Sequence, residues 1–310
     1  MNNMPDIPDI NDDKEVNLLE IFNLVRDNFK FCIFFISFFA ISSILFSLLL
    51  PNKYTSVAVL EVMEKANEGG GQAFAGSSLA AITGISIGGS ASAGDPAYSI
   101  MAIVNSRTFA AHLFTFDNIL PSILAWQEYD PISQKLVYDA SKYDDQKKMW
   151  LIPKPSYLTG FAKMHEALKI TRSDESGFLY LSFEHVSPIF AHDFVSLIIK
   201  EVNSIRRAQD LKSADDSITY LYDQLEKTRE SELLLSINQI IENQLRKRML
   251  ANIKDEYAIF SIDAPFVPLL KSSPTRSYIV IISTIVGSIL ALIILLTMKY
   301  GFQRNTLFFK

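Results

Sequence analysis

DAPFVPLLKSSPTRSYIVIISTIVGSILALIILLTM, from Asp263 to Met298, decides how this chain is read. Pro265, Pro268 and Pro274 stand on a period of three, with Lys271 at the one step that lacks a proline, and Arg276 closes the motif. Three residues per turn is the repeat of polyproline II, a stiff extended form without internal hydrogen bonds. The uncharged run that follows, Tyr278 to Met298, is long enough to cross a hydrocarbon core as a helix. Within it Ser283, Gly287 and Ala291 recur every fourth residue, so they share one side. Small residues at that spacing let two membrane helices approach closely. A rigid strap feeding a helix with a packing face points to an assembling membrane protein.

A second uncharged run, FCIFFISFFAISSILFSLLL, covers Phe31 to Leu50. It is too long for the apolar part of a signal peptide, and SLLLPNK offers no small-residue cleavage site, so it reads as an uncleaved anchor. Residues 51–277 between the two runs are numerous enough for a folded domain with its own core. Lys14, Arg26 and Lys30 precede the first run, and Lys299, Arg304 and Lys310 follow the second. Fewer basic residues flank the inner ends: Lys53 and Lys65, then Lys271 and Arg276. Lys and Arg mark the cytoplasmic side, so both termini are expected inside and the large domain outside. A net charge of −5 indicates neither a polybasic lipid anchor nor a nucleic-acid footprint. Cys32, the one cysteine, sits in the first run and reads as lipid-facing filler; no intrachain disulfide can form.

Residues 1–14, with four aspartates and two prolines, read as a solvated tail. Leu18, Ile21, Phe22 and Val25 then fall at helical spacing, as for a helix on the inner membrane surface. YTSVAVLEV, after the first apolar run, is β-branched and reads as a strand. A glycine-rich stretch across 69–94 has neither a Lys and Ser or Thr correctly placed after its last glycine nor a correctly placed preceding strand, as a phosphate loop requires, and reads as a small-residue loop. From Pro96, AYSIMAIVNSRTFAAHLFTF reads as one helix, and 117–158 as helices and loops. FAKMHEALK is a short helix; LKITR and FLYLSFEH flank SDESG as a hairpin. Ser187 and Pro188 are a helix cap and first residue. From Ile189 to Ala264 neither Gly nor Pro occurs, which predicts a long helical region with a break near Asp215–Asp216. Uninterrupted, it would reach on the order of 100 Å. Ile237, Ile240, Ile241, Leu245, Met249, Ile253 and Tyr257 read as one apolar stripe, and neighbouring copies are the economical source of a cover for it. Leu245, Met249 and Ile253 are thus the candidate oligomer contacts.

These segments resemble the polysaccharide co-polymerases, the Wzz-type O-antigen chain-length determinants of Gram-negative inner membranes. The resemblance runs through NLLEIF, YTSVAVLEV, VNSRTF, LSFEHVSP, QLRKRMLANIKDEYAIFSIDAP and the proline segment leading to Gly287. Lys271 stands where a fuller proline repeat would continue, and Ala291 where many members have a second glycine. The resemblance implies an α+β membrane protein, with two transmembrane helices flanking a periplasmic α/β base domain with a long helical extension. Its expected parts are a cytoplasmic tail and interfacial helix (1–30), transmembrane helices at 31–50 and 278–298, the periplasmic domain (51–277) and a second tail (299–310). It implies a homo-oligomer in the inner membrane, acting beside an O-antigen polymerase on lipid-linked polysaccharide. The final KYGFQRNTLFFK holds Tyr300 alone and no phosphate-loop motif, so the kinase-bearing subclass is not expected.

No catalytic constellation is legible. His185 and His192 lie seven apart across a helix start, which is not a metal-ligand spacing. No nucleophile elbow or zincin motif occurs. Arg246, Lys247 and Arg248 could meet a pyrophosphate, but Glu242, Asp255 and Glu256 offset them and an ordinary helix face is the simpler reading. Neither an enzyme nor a cofactor is expected. The main expectation is a non-enzymatic regulator of polysaccharide length. The alternative is a two-helix sensor or polysaccharide-export adaptor with a ligand-binding outer domain, which would need a cytoplasmic output domain or hairpin repeats.

Overall fold

The computed structural model describes residues 18–63, 95–253 and 256–305. The tail at 1–14 and the glycine-rich stretch at 69–94 lie outside them. The chain divides into two units, residues 1–51 with 273–310 and residues 52–272.

The first unit contains α1 (Leu18–Asp27), α2 (Phe29–Leu49) and a late helix, Arg276–Asn305, which becomes α9 in chain order. α2 and α9 are both long and apolar enough to cross a membrane. Only 17 % of either apolar window is buried within the chain, which separates them from the core helices of a soluble domain. Phe34, Phe38, Leu45 and Leu49 on α2 stay exposed, as do Ile281, Ile285 and Ile289 on α9. Such apolar surface suits a hydrocarbon solvent.

The second unit is built on a four-stranded sheet of order β6-β7-β1-β8, with every neighbouring pair antiparallel. β1 is Tyr54–Val62, β6 Leu168–Arg172, β7 Leu179–His185 and β8 Ile259–Asp263. Side chains alternate across a strand, and one face is closed: Ser56, Ala58 and Leu60 from β1, Leu179, Leu181 and Phe183 from β7. The expected β6–β7 hairpin forms, and its turn ends at Gly177, whose φ of 74° suits glycine.

Helices α3 (Pro96–Val104), α4 (Arg107–Leu113), α5 (Ile119–Leu124) and α6 (Tyr157–Ala167) supply part of the cover. The region read as one helix from Pro96 is therefore two. Ser106 is the reason: its Oγ accepts the Phe109 N–H and starts α4 afresh. Gly160 lets α6 come close, since a Cβ there would lie 2.6 Å from Leu120 Cδ1. The stretch 117–158 also holds strands that were not expected. β2 (Trp126–Asp130) pairs with β3 (Lys135–Tyr138), and β4 (Tyr143–Asp144) with β5 (Met149–Trp150). Short strands bounded by Asp-centred turns carry too few alternations to be seen as periodic; Asp130, Asp139 and Asp144 each accept backbone N–H bonds that form those turns.

The rest of the cover is α7 (Pro188–Lys227). Ser187 Oγ accepts the Phe190 N–H, and Pro188 is the first helical residue. Ala191, Phe194, Val195, Ile198 and Val202 are fully buried, and the Phe194 ring lies 4.6 Å from that of Phe183. The break expected near Asp215–Asp216 is absent. α7 runs 40 residues and stops only at Thr228, in the polar EKTRESE stretch. α8 (Ser231–Ile253) then returns antiparallel alongside it. Ala214 and Ile218, on either side of Asp215, are buried and keep this part of α7 packed, and the exposed Asp215 carboxylate pairs with Arg248 of α8 at 3.3 Å.

Nor is the region helical through Ala264, since β8 occupies 259–263. The single apolar stripe also divides. Ile237, Ile241 and Ala251 of α8 are buried, whereas Leu245, Met249 and Ile253 are 37 %, 61 % and 75 % exposed. Each step of four residues overshoots a helical turn by about 40°. A stripe built on such steps winds off the covered side, and by Ile253 it faces outward.

Candidate functional site

No catalytic chemistry assembles on the described residues. No group of three or more His, Cys, Asp or Glu among them could hold a metal. The histidines are dispersed: His112 Nε2 meets Glu201 at 2.7 Å, His192 Nδ1 meets Asp193 at 2.7 Å, and His165 stacks on Phe161. Arg246, Lys247 and Arg248 are engaged within the chain, by Glu242 at 3.3 Å, Asp210 at 2.8 Å and Asp215 at 3.3 Å. A reading of that cluster as a free anion site has no support in this geometry.

The structure instead builds a helical hairpin with a locked base. Asn203, 4 % exposed on α7, holds the chain that leaves α8. Its Oδ1 accepts the N–H groups of Ala258 (2.7 Å) and Ile259 (3.0 Å), and its Nδ2 donates to the Ile259 carbonyl (3.0 Å). Two turns further along α7, Asp210 accepts from Lys247 Nζ (2.8 Å) and from the Tyr257 hydroxyl (3.0 Å). Burial alone would raise the Asp210 pKa. The Lys247 hydrogen bond and charge, Tyr257 and Arg206 outweigh it and hold the carboxyl below its usual range. Burial and the Asp210 charge push Tyr257 up to about 12. Sequence reading missed both anchors. The signal available was an Asn and an Asp at inward positions of a helix whose other inward positions are apolar.

His185 plays a structural part. Its Nε2–H donates to the Ser122 carbonyl (2.9 Å), and its Nδ1 accepts the Ser187 N–H (3.1 Å). Burial lowers its pKa to about 4, and Nδ1, already taken by a donor, has no room for a second proton. The unfolded ring titrates near 6.5. Between roughly pH 6.5 and 4 the unfolded chain therefore binds a proton that the folded chain does not. The contribution is complete above pH 6.5, falls as pH drops through that window by about 3 kcal/mol, and levels off below it. Thermal melting between pH 7 and 4 is expected to show this slope, and His185→Gln to remove most of it; an equal slope in the variant would exclude His185 as its source.

The proline segment is not a free strap. Residues 264–272 are neither helix nor strand, but they are tied to β1 and its approach. Ser56 Oγ donates to the Phe266 carbonyl (2.9 Å), Thr55 Oγ1 to Ser272 Oγ (2.7 Å), and the Ser272 N–H to the Lys53 carbonyl (2.9 Å). Pro268 is buried and Pro265 half-buried. Pro274 follows a cis peptide bond and Arg276 begins α9.

Ser283, Gly287 and Ala291 line the side of α9 that meets α2. Ser283 Oγ lies 3.4 Å from the Phe39 carbonyl, and Ala291 is 1 % exposed. The neighbour of this small-residue face is thus the chain's own first apolar helix. Cys32, read as lipid-facing, is instead buried, together with Ser43 and Ser47 of the same helix.

The family model for the chain length determinant protein, Wzz, fits residues 14–114. Residues 14–114 match the Wzz family. The match takes in α1, α2, β1, α3 and α4, and with them NLLEIF, YTSVAVLEV and VNSRTF, so the resemblance read from those residues is borne out. It ties the chain to chain length determination in general terms. Among solved structures, a full-length bacterial polysaccharide co-polymerase is similar at 14 % identity, over 93 % of this chain and 99 % of that one, with a TM-score of 0.40. A fragment of WzzB, a polysaccharide co-polymerase from Salmonella Typhimurium, is similar at 13 % identity, over 72 % of this chain and all of that one, with a TM-score of 0.27. No curated protein matches.

Proposed function

We propose that this protein sets the length of a surface polysaccharide, O-antigen or a relative of it, without catalysing a reaction. The Wzz match over residues 14–114 carries the reading. The protein acts as a homo-oligomeric scaffold beside the polymerase that extends lipid-linked polysaccharide. Leu245, Met249 and Ile253 support self-association, because they leave a row of apolar side chains uncovered on α8. The protein sits in the inner membrane with both termini cytoplasmic and residues 51–277 periplasmic, as the outward-lying Lys and Arg residues favour. The proline motif couples the outer domain to the second membrane helix.

A strain lacking the gene is expected to lose the modal length band of its lipopolysaccharide on a silver-stained gel. Met249→Asp with Ile253→Asp is expected to give the same gel at normal expression, and to shift the detergent-solubilised protein to smaller species on sizing. A deletion strain with an unchanged band would remove the function. Full-sized oligomers from the double variant would remove the contact.

A further inference from the structure

A cleft of about 160 Å³ opens in the outer unit between β7 and the segment around Trp126. Trp126 forms one wall and His185 lies beneath it, the two rings edge to face at 6.1 Å. Lys53, Glu184, Lys163 and Glu166 complete the polar lining. The volume is below the roughly 300–1,000 Å³ of pockets that enclose drug-sized ligands. It suits a single ring of a longer molecule whose remainder runs over the surface.

The chemistry of the lining narrows the class. His185 offers a ligand nothing, since both its ring nitrogens are committed to Ser122 and Ser187. It serves as the surface against which the indole is held. The four charged groups balance, two cations against two anions. Lys163 pairs with Glu166 at 2.8 Å, and Lys53 stands 3.6 Å from Glu184, beyond hydrogen-bond range. An ammonium has three donors and a carboxylate about four acceptor sites, so these pairs leave most of their hydrogen-bonding capacity open. No excess charge selects an anion. Groups that both donate and accept, which is to say hydroxyls, fit such a lining, and a ring with an apolar C–H face fits the indole beside it.

We propose that this cleft binds one neutral pyranose unit of a polysaccharide, with Trp126 as the stacking platform and the Lys53–Glu184 and Lys163–Glu166 pairs bonding the ring hydroxyls. The proposal rests on the reading of the protein as a regulator of polysaccharide length, and it names where the polymer is touched.

The test uses the full chain in detergent and saturation-transfer NMR. The probes are neutral oligosaccharides, released by mild acid from the surface polysaccharide of the cells that make the protein, and oligogalacturonate as an anionic comparison. The neutral probe is expected to bind saturably in the millimolar range and oligogalacturonate about tenfold more weakly. Trp126→Ala is expected to weaken the neutral probe about tenfold and Trp126→Phe to restore most of the loss. Exposed Ile132, changed to Ala, is expected to leave binding as it was. Equal binding by Trp126→Ala, no saturable signal from the wild type, or preference for oligogalacturonate would overturn the assignment. The two readings fail separately. A deletion strain that loses its modal band beside a Trp126→Ala chain that binds normally would sink the cleft and spare the function. A deletion strain with an unchanged band would sink the function, whatever the cleft binds.

Discussion

Asn203→Leu is expected to detach the return segment of the helical hairpin and lower the melting temperature of the second unit, residues 52–272, by about 10 °C. Three backbone groups depend on the Asn203 amide: the N–H groups of Ala258 and Ile259 and the Ile259 carbonyl. All lie in a buried environment, with Ile259 1 % and Ala258 8 % exposed. A buried polar group left without its partner costs about 1–3 kcal/mol, so the loss of three amounts to several kcal/mol. That is a large share of the roughly 5–15 kcal/mol that separates a folded domain from its unfolded chain. The damage should spread, because β8 follows Asn203's contacts directly and forms the edge of the sheet beside β1. Hydrogen exchange read by mass spectrometry should show residues 258–262 opening first, while α2 and α9 keep their protection. A variant with wild-type melting and exchange would mean that the β1–β8 pairing holds the segment without the amide.

Gly287→Leu is expected to force α2 and α9 apart, at a cost of about 1–3 kcal/mol or more for overpacking. A Cβ at residue 287 would stand 2.8 Å from Phe39 Cβ and 2.9 Å from Phe39 Cγ. These atoms are fixed close to the α2 backbone, so a change of rotamer does not clear them and the helix itself must move. Ile285, on the same helix but 54 % exposed, has no such neighbour, and Ile285→Leu should be neutral. Phe39→Ala combined with Gly287→Leu should recover part of the loss, because it removes Cγ and the rest of the ring and leaves only the Cβ contact. The measurement is thermal unfolding of the four proteins in detergent. Equal stability of Gly287→Leu and Ile285→Leu would show that the two helices need not be in contact.

Both outcomes turn on neighbours that are distant in the chain, and the same division separates what was legible from what was not. Sequence alone determined the two apolar helices, because length and the absence of charge are enough to mark a candidate membrane-spanning segment. It determined β1 and the β6–β7 hairpin through β-branched runs and a turn ending in Gly177. It determined the start of α7 through Ser187 and Pro188, since a cap acts within one turn of its own residue. It also carried the NLLEIF, YTSVAVLEV and VNSRTF segments on which the family resemblance rests. Tertiary structure decided the rest. A covered apolar face at Ala214 and Ile218 carries α7 past Asp215 and Asp216, where local propensity predicts a break. Asn203 and the free edge of β1 turn Ile259–Asp263 into a strand inside a stretch that contains only helix-tolerant residues. The 3.6-residue turn winds one apolar pattern around α8, and the position of α7 alone decides that Ile241 is buried while Met249 is exposed. The small face of α9 was readable as a packing face, but its partner was not, because spacing along one helix records how closely a neighbour can come and not which neighbour comes.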